Sequence, residues 1–381
     1  MKCCISLGVF SLKYFIYCIL FAWFEIYIML FIYKFDKLND VIFTKHKFLD
    51  PICFYLGYLL NFIPTLINNI TSELKEPYYK YLSRKDIIKL LGMCLMLLLL
   101  EFIEIVLKKL NKEKQKYEDD FLLFKFLVVF LLPKYFSEVY YKHQNISIIF
   151  FILLEIIKTI FFIIKNKEYE KENFITIAIL RVIYSSLSAL YYLYLKELMK
   201  YKYISPYKCN FMIGIINFPL LIMIMFIISF TPLGKKENKN IFCDNIIELF
   251  QDITKLNIVY IILLIVLSFS YGIALFLINK GIYEFTVYHL FIPLLVTNFI
   301  KDISEAQLNN IFVSTFLISS FIIELIIILV FLEIIEVNCC GLNENLKRNI
   351  EARGIIDAFL INDDDDKNYD ERNTINNDTT K

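Results

Sequence analysis

Ten apolar segments, each long enough to cross a lipid bilayer, occupy the chain between residues 12 and 335. A helix of roughly 20 apolar residues spans a hydrocarbon core about 30 Å thick. Because the polar connections between most of these segments are short, the sequence predicts an all-α polytopic membrane protein with ten transmembrane helices. The predicted spans are 12–33, 49–70, 86–107, 121–140, 147–165, 174–195, 211–232, 258–278, 285–302 and 311–335.

The composition agrees with one membrane-embedded domain. Hydrophobic residues make up 58% of the chain, and the 40 Lys and Arg residues nearly balance the 39 Asp and Glu residues, so no basic excess points to nucleic acid as a partner. We expect a transporter-like transmembrane domain over residues 1–335. A polar C-terminal tail over 336–381 should be largely disordered after residue 362, where a four-Asp run begins.

The spacing of the spans suggests an internal repeat. Five spans lie within residues 12–165 and five within 174–335. An odd number of helices per half inverts the second copy relative to the first, so a 5+5 inverted repeat is predicted. Lys and Arg are distributed almost evenly between the two sides, so charge bias does not orient the chain. The first segment is too long for a signal-peptide core and is expected to be a retained span.

Four ionisable side chains are predicted at a similar depth in four different spans. Glu25, Glu101, Lys125 and Arg181 fall roughly 6–12 Å below one membrane surface when a rise of 1.5 Å per residue is used. Charges at that depth are expensive and indicate a functional site by default. Together they would form a net-neutral lining for an anionic or zwitterionic substrate. Alternatively, Lys125 snorkels to the surface and Glu101 interacts with charges on its own helix.

The sixth predicted span carries a polar stripe. Arg181, Ser185, Ser188 and Tyr192 recur at helical spacing on one face, which should face protein or water, either as a substrate lining or as helix–helix contacts. Tyr271 is a further polar residue and lies within the eighth span. The candidate substrate-binding residues are Arg181, Glu25, Tyr184, Ser188, Tyr271, Lys125 and Glu101.

Motifs for catalysis and for ATP-driven pumping are missing from the sequence. There is no P-loop, no zinc-binding HExxH motif and no Gly-x-Ser-x-Gly elbow, and the three His residues are widely separated. We therefore expect no enzymatic activity, no catalytic residue, no metal and no cofactor. Glu324 in the last span is suited either to proton uptake or to an oligomer interface, so a homodimer is one candidate assembly.

Two stretches carry a resemblance to a known family. Span 6 ends in Tyr192–Met199, and a short basic connection, Lys202–Lys208, leads to span 7. This arrangement resembles the drug/metabolite transporter superfamily, which includes EamA-like proteins and the nucleotide-sugar and triose-phosphate translocators. The stretch Leu332–Asn345 is similar to the exit of the last span in divergent protist members. The resemblance implies a ten-helix bundle, cytosolic termini and a central cavity lined mainly by spans 1, 3, 4, 6, 8 and 9.

These observations predict a multi-pass integral membrane protein that works as a secondary transporter. Its partners would be the lipid bilayer and a small polar or anionic metabolite, which it would move by alternating access. Arg181 would meet an anionic group, and Glu25 would balance that charge in the empty cavity. One alternative is a non-transporting scaffold or receptor-like protein that uses its acidic tail, and another is an intramembrane lipid-modifying enzyme. The sequence does not identify the membrane.

Overall fold

The apolar segments form helices in a computed structural model of the chain. The structure describes residues 4–7, 12–38, 42–71, 83–110, 131, 141–165, 171–201, 204–231, 246–285, 287–305 and 311–338. Within that part the chain is helical apart from turns and one short pair of strands. All of predicted span 121–140 except residue 131 lies outside the described residues, and so does the tail from Asp363 onward.

The elements follow one another in this order. The first part contains β1 (Cys4–Leu7), α1 (Leu12–Leu38), α2 (Ile42–Lys45), α3 (Leu49–Leu60), α4 (Phe62–Thr71), α5 (Arg84–Leu110) and α6 (Lys142–Lys165). The second part contains α7 (Lys171–Lys196) with a π-helical turn (Glu197–Tyr201), α8 (Pro206–Ser229), α9 (Ile246–Lys255), α10 (Ile258–Glu284), a 3₁₀ turn (Val287–Leu290), α11 (Phe291–Glu305), α12 (Ile311–Phe331) and β2 (Ile335–Asn338).

Six helical segments in the described part of the chain are long and apolar enough to cross a membrane. They are Leu12–Leu38, Leu49–Ile67, Arg84–Leu107, Pro206–Ser229, Ile258–Glu284 and Ser314–Phe331. This confirms the expected multi-pass, helical membrane character, whereas the count of ten spans and the 5+5 repeat stay predictions. Predicted span 285–302 forms a 3₁₀ turn followed by a shorter helix, with an apolar stretch over Val287–Ile300.

Predicted span 49–70 is broken into two helices at Asn61. Pro64 explains the break, because it has no N–H to donate to the carbonyl of Leu60. The Asn61 side chain fills the gap. Its Nδ2 donates to the Gly57 carbonyl at 3.0 Å and to the Gly272 carbonyl at 3.3 Å. The break is therefore tied to α10 by an amide nitrogen that donates to both helices.

The chain divides into two compact units. The first comprises Met1–Phe10, Val139–Leu154 and Ile323–Lys381. In it, β1 pairs antiparallel with β2, with Cys4 opposite Asn338. The second unit comprises Ser11–Glu138 and Glu155–Ile322 and contains α1–α5 and α7–α11. Within it, α3 packs most extensively against α10 and then α8, while α5 packs against α7.

Two glycines set the distance between α3 and α10. A Cβ atom placed on Gly57 would lie 2.7 Å from the Gly272 backbone nitrogen, and one on Gly272 would lie 2.8 Å from the Gly57 carbonyl oxygen. Both distances are shorter than any real Cβ contact, so only glycine permits this approach. The close crossing is the small-residue packing by which transmembrane helices associate when water supplies no hydrophobic driving force between them.

We predict that Gly57→Ala destabilises the protein by on the order of 2 kcal/mol, because overpacking a close helix contact typically has an effect of that size. Gly92 offers a matched control in α5, since a Cβ there meets nothing within 4 Å. Gly92→Ala should be neutral or stabilising by up to about 1 kcal/mol. Thermal unfolding of both variants in detergent measures the difference. Equal midpoints for the two variants would contradict the close-crossing interpretation.

Candidate functional site

A polar cavity of about 230 Å³ lies between α1, α3, α5 and α10. Its polar lining consists of Glu25 from α1, Asp50 from α3, Glu101 and Glu104 from α5, and Tyr271 from α10. Four carboxyl groups thus line one cavity inside helices that are apolar enough to cross a membrane. Ionisable groups at membrane depth usually line a water-filled cavity or a substrate pathway.

An adjoining cavity of about 200 Å³ shares Asp50, Pro51, Glu101 and Glu104 with the first. It adds Asp36 near the end of α1 and Lys47 between α2 and α3. We call the two cavities together the acidic cleft. Its charged lining residues are Glu25, Asp36, Asp50, Glu101, Glu104 and Lys47. Five carboxyl groups and one ammonium group make it strongly acidic.

The positions of these residues along their helices explain the shape of the acidic cleft. Asp36 lies close to the C-terminal end of α1, and Asp50 lies at the start of α3, so the outer part is where the chain turns between the two helices. Glu25 lies about 20 Å from the C-terminal end of α1, at a rise of 1.5 Å per residue. The acidic cleft therefore opens near one end of the helices and reaches inward to Glu25.

A tyrosine–carboxyl pair crosses the inner cavity, which is the one of about 230 Å³ that contains Glu25. The Tyr271 hydroxyl donates a hydrogen bond to Asp50 Oδ1. Phe54 meets the Tyr271 ring edge-on, with centroids 5.5 Å apart. Glu25 interacts electrostatically with Tyr271 and with Tyr192 of α7. The Tyr271 hydroxyl thus supplies a hydrogen-bond donor for Asp50, and Glu25 lies within electrostatic range of both tyrosines.

The structure brings three of the predicted site residues together. Glu25, Glu101 and Tyr271 all line the acidic cleft. The predicted residues on span 6 lie on α7 and are not among the lining residues described. Tyr184 packs instead against the hydrophobic cluster formed by Ile103 and its neighbours on α5. The remaining predicted residue, Lys125, lies outside the described residues.

Arg181 and Ser188 occupy other parts of α7. Ser188 is buried, and Arg181 is partly buried. Neither residue lines the acidic cleft, so the predicted pairing of Arg181 with Glu25 is not part of its described geometry.

Sequence reasoning missed four charged residues of the acidic cleft: Asp36, Lys47, Asp50 and Glu104. Asp36 and Lys47 flank predicted spans and Asp50 is the second residue of one, positions where charged residues normally mark the membrane–water boundary. Glu104 is one helical turn beyond Glu101 on α5, and this i,i+3 spacing was the available signal. Among the described residues, no group of three or more His, Cys, Asp or Glu side chains is arranged to hold a metal ion.

The segment at the mouth of the acidic cleft is tied to α9. His46 Nε2 lies 3.1 Å from Asp252 Oδ2, and Lys45 bonds to the same oxygen. Lys255 Nζ lies 3.2 Å from the other carboxylate oxygen. These cationic and N–H partners, with Lys45 contributing most, hold the pKa of the Asp252 carboxyl well below its usual range. Because Lys47 follows His46 directly, the contacts of Lys45 and His46 with Asp252 help to position the mouth of the acidic cleft.

No protein-family model matches the chain, and no curated protein is similar enough to count as a match.

We predict that Asp252→Asn lowers the thermal midpoint at pH 7 by about 2 °C. An aspartate with a depressed folded-state pKa adds stability above its unfolded pKa of about 3.9, and this stability is lost as the pH falls through the folded value. The difference from the unmodified protein should therefore shrink below about pH 4. Gln251→Ala, at an exposed position of α9, is the control and should leave the midpoint unchanged. A difference that is constant with pH would contradict the role of this carboxylate.

Proposed function

We propose that this protein is a secondary transporter that moves a small polar solute carrying positive charge through the acidic cleft by alternating access. One observation carries the proposal: among the described residues, five carboxyl groups and a single ammonium group line a cleft within apolar, membrane-length helices. A scaffold has no need for a polar cavity at that depth. Membership of the drug/metabolite transporter superfamily, ten spans and the 5+5 inverted repeat are parts of the same proposal.

The charge of the acidic cleft favours a cation over an anion. Between apolar helices the effective dielectric constant is lower than in water, so the attraction of carboxylates for a cation is correspondingly stronger. An anion entering the same cleft would meet five carboxyl groups and one compensating Lys47 among the described lining residues. The proposed solute thus differs in charge from the anionic metabolite expected when Arg181 was placed in the site. For a zwitterionic solute, Arg181 stays a candidate contact for the anionic group.

The size of the acidic cleft favours a small solute. Its two parts measure about 230 and 200 Å³, so even together they lie toward the lower end of the roughly 300–1,000 Å³ typical of sites for drug-sized ligands. Phe54 and Leu275 supply apolar contacts beside the carboxyl groups of the inner part. A small molecule with one cationic end and a short apolar portion fits this lining.

Each polar residue in the inner part has a distinct proposed role. Glu25, the carboxyl group farthest from the mouth, would receive the cationic group and exchange it for a proton or another cation when the site empties. Asp50 would be held by the Tyr271 hydroxyl in the empty cleft and released when a solute displaces that bond. Glu101, which lies on α5, would provide a further hydrogen-bond acceptor for the cationic group.

We expect that cationic or zwitterionic compounds stabilise the purified protein and that anionic compounds do not. The screen is a thermal-shift measurement with amino acids, nucleosides, sugar phosphates and nucleotide sugars. A ligand at 100 times its Kd stabilises the folded state by about 2.7 kcal/mol, which is easily detected. Selective stabilisation by sugar phosphates or nucleotide sugars would contradict the proposed charge of the solute.

The same measurement on Glu25→Gln tests the site. Truncating one partner of a buried charge pair weakens binding by about 2 kcal/mol or more, so the apparent affinity should fall at least about tenfold. Glu248→Gln is the control, because it removes an acidic group of α9 that does not line the acidic cleft. It should keep the shift produced by the ligand. Unchanged binding by Glu25→Gln would exclude this carboxyl group from the site.

A further inference from the structure

A row of buried polar side chains continues from the acidic cleft through the interior of the second unit. It runs from α3 across α7 and α8 to α10. Its members, which we call the polar row, are Tyr55, Tyr58, Tyr191, Asn217, Asn210 and Asn279. None of them lines the acidic cleft as described above.

The polar row begins beside the acidic cleft. Tyr55 interacts electrostatically with Glu101, and its hydroxyl lies near the Asn217 amide. The Tyr55 and Tyr58 rings stack with centroids 6.0 Å apart. The Tyr58 and Tyr191 hydroxyl oxygens are hydrogen-bonded at 2.9 Å. These contacts carry the polar row from α5 across α3 to α7 and α8.

The polar row ends toward the other end of the helices. Asn279 donates its amide to Asn210 Oδ1. Asn210 is about 6 Å along α8 from its start, and Asn279 is close to the end of α10. That end of α10 is bound to the start of α1, where Lys13 Nζ lies 2.9 Å from Glu284 Oε2. Because the acidic cleft opens near the end of α1, the polar row extends toward the opposite side of the membrane.

Several polar atoms of the polar row are buried without a partner. Tyr55, Asn210 and Asn217 are fully buried. Among the described residues, the Tyr55 hydroxyl and the Asn217 amide are near each other but not in hydrogen-bond geometry, and Nδ2 of Asn210 has no hydrogen-bond partner. Within a membrane each such group costs up to several kcal/mol, so proteins rarely keep one without a reason.

Other buried polar residues nearby show what a purely structural role looks like. The Asn61 amide donates to two backbone carbonyls across the α3–α10 contact. The Ser268 hydroxyl donates to the Leu264 carbonyl of its own helix. These groups are satisfied, whereas Asn217 at mid-depth in α8 is not. Helix–helix contact therefore accounts for the Tyr58–Tyr191 and Asn279–Asn210 bonds but not for the unpartnered atoms of the polar row.

We infer that the polar row is the closed half of the solute pathway, lined to take up water and a small polar solute when the protein opens to the side opposite the acidic cleft. The inference rests on the proposed transport function and adds the second half of the route. In the closed conformation the side chains pack against one another. On opening, the unpartnered amide and hydroxyl groups would bind water and the passing solute, as groups that line a solvated cavity do.

Two buried cysteines beside the polar row provide a test that needs no knowledge of the solute. Cys209 is 1% exposed and interacts electrostatically with Tyr58 and Tyr191. Cys94 interacts with Tyr55 in the same way. The probe is the permanently charged thiol reagent 2-(trimethylammonium)ethyl methanethiosulfonate, which reacts with thiols in water and does not partition into hydrocarbon. Mass spectrometry of the full chain in proteoliposomes would measure the modified fraction of each cysteine.

We expect the reagent to modify Cys209 during prolonged incubation. Cys18 on α1 is the control, because it is less buried than Cys209 but is not a neighbour of the polar row. It should remain unmodified. Protection of Cys209, or equal modification of both cysteines, would overturn the inference.

Asn217→Leu separates a pathway role from a structural one. Replacing an unpartnered buried amide by an apolar group of similar size should leave the thermal midpoint unchanged or raise it. It should also slow the modification of Cys209 by about tenfold, whereas Asn217→Ser should keep the rate. A lower midpoint with an unchanged rate would contradict the pathway.

The two proposals can fail separately. Modification of Cys209 in a protein that transports no solute would contradict the proposed transport function and support the water-accessible route. Transport by a protein whose Cys209 is protected would support the proposed transport function and contradict the role of the polar row as its pathway.

Discussion

The close crossing of α3 and α10 at Gly57 and Gly272 is the contact on which the second unit depends. It holds the two backbones so near that the Asn61 amide reaches the Gly272 carbonyl and the Tyr271 hydroxyl reaches Asp50. The first of these bonds stabilises the break between α3 and α4, and the second crosses the inner acidic cleft. One packing contact thus supports both the helix arrangement and the polar site.

The polar groups on α3 face two environments. Asp50 at its start contributes to the acidic cleft, and Tyr55 and Tyr58 farther along contribute to the polar row. Membrane helices tolerate such groups only where protein or water satisfies them. A route that begins in a carboxyl-lined cleft and continues through neutral amides and hydroxyls would attract a cation at its entrance and release it without a second deep charge site.

The sequence predicted the helical membrane character and singled out Glu25 and Glu101, which line the acidic cleft, because long apolar runs and interrupting charges are local features. It did not predict the break at Asn61, where Pro64 acts together with a tertiary bond to Gly272. It also missed Asp50, because a charge at the end of a predicted span is normally interpreted as lying at the membrane surface. The fold instead places Asp50 in the lining of the acidic cleft. Its emphasis on Arg181 followed from depth alone, and depth does not specify which neighbouring helix a side chain faces.

The central claim is that the acidic cleft carries a positively charged solute across the membrane. Current recorded from proteoliposomes on a solid-supported membrane tests it most directly, with pulses of lysine and glutamate as solutes of similar size and opposite net charge. The account predicts a transient current with lysine, or with another cationic solute found by ligand screening, and none with glutamate. Current with glutamate alone would contradict it.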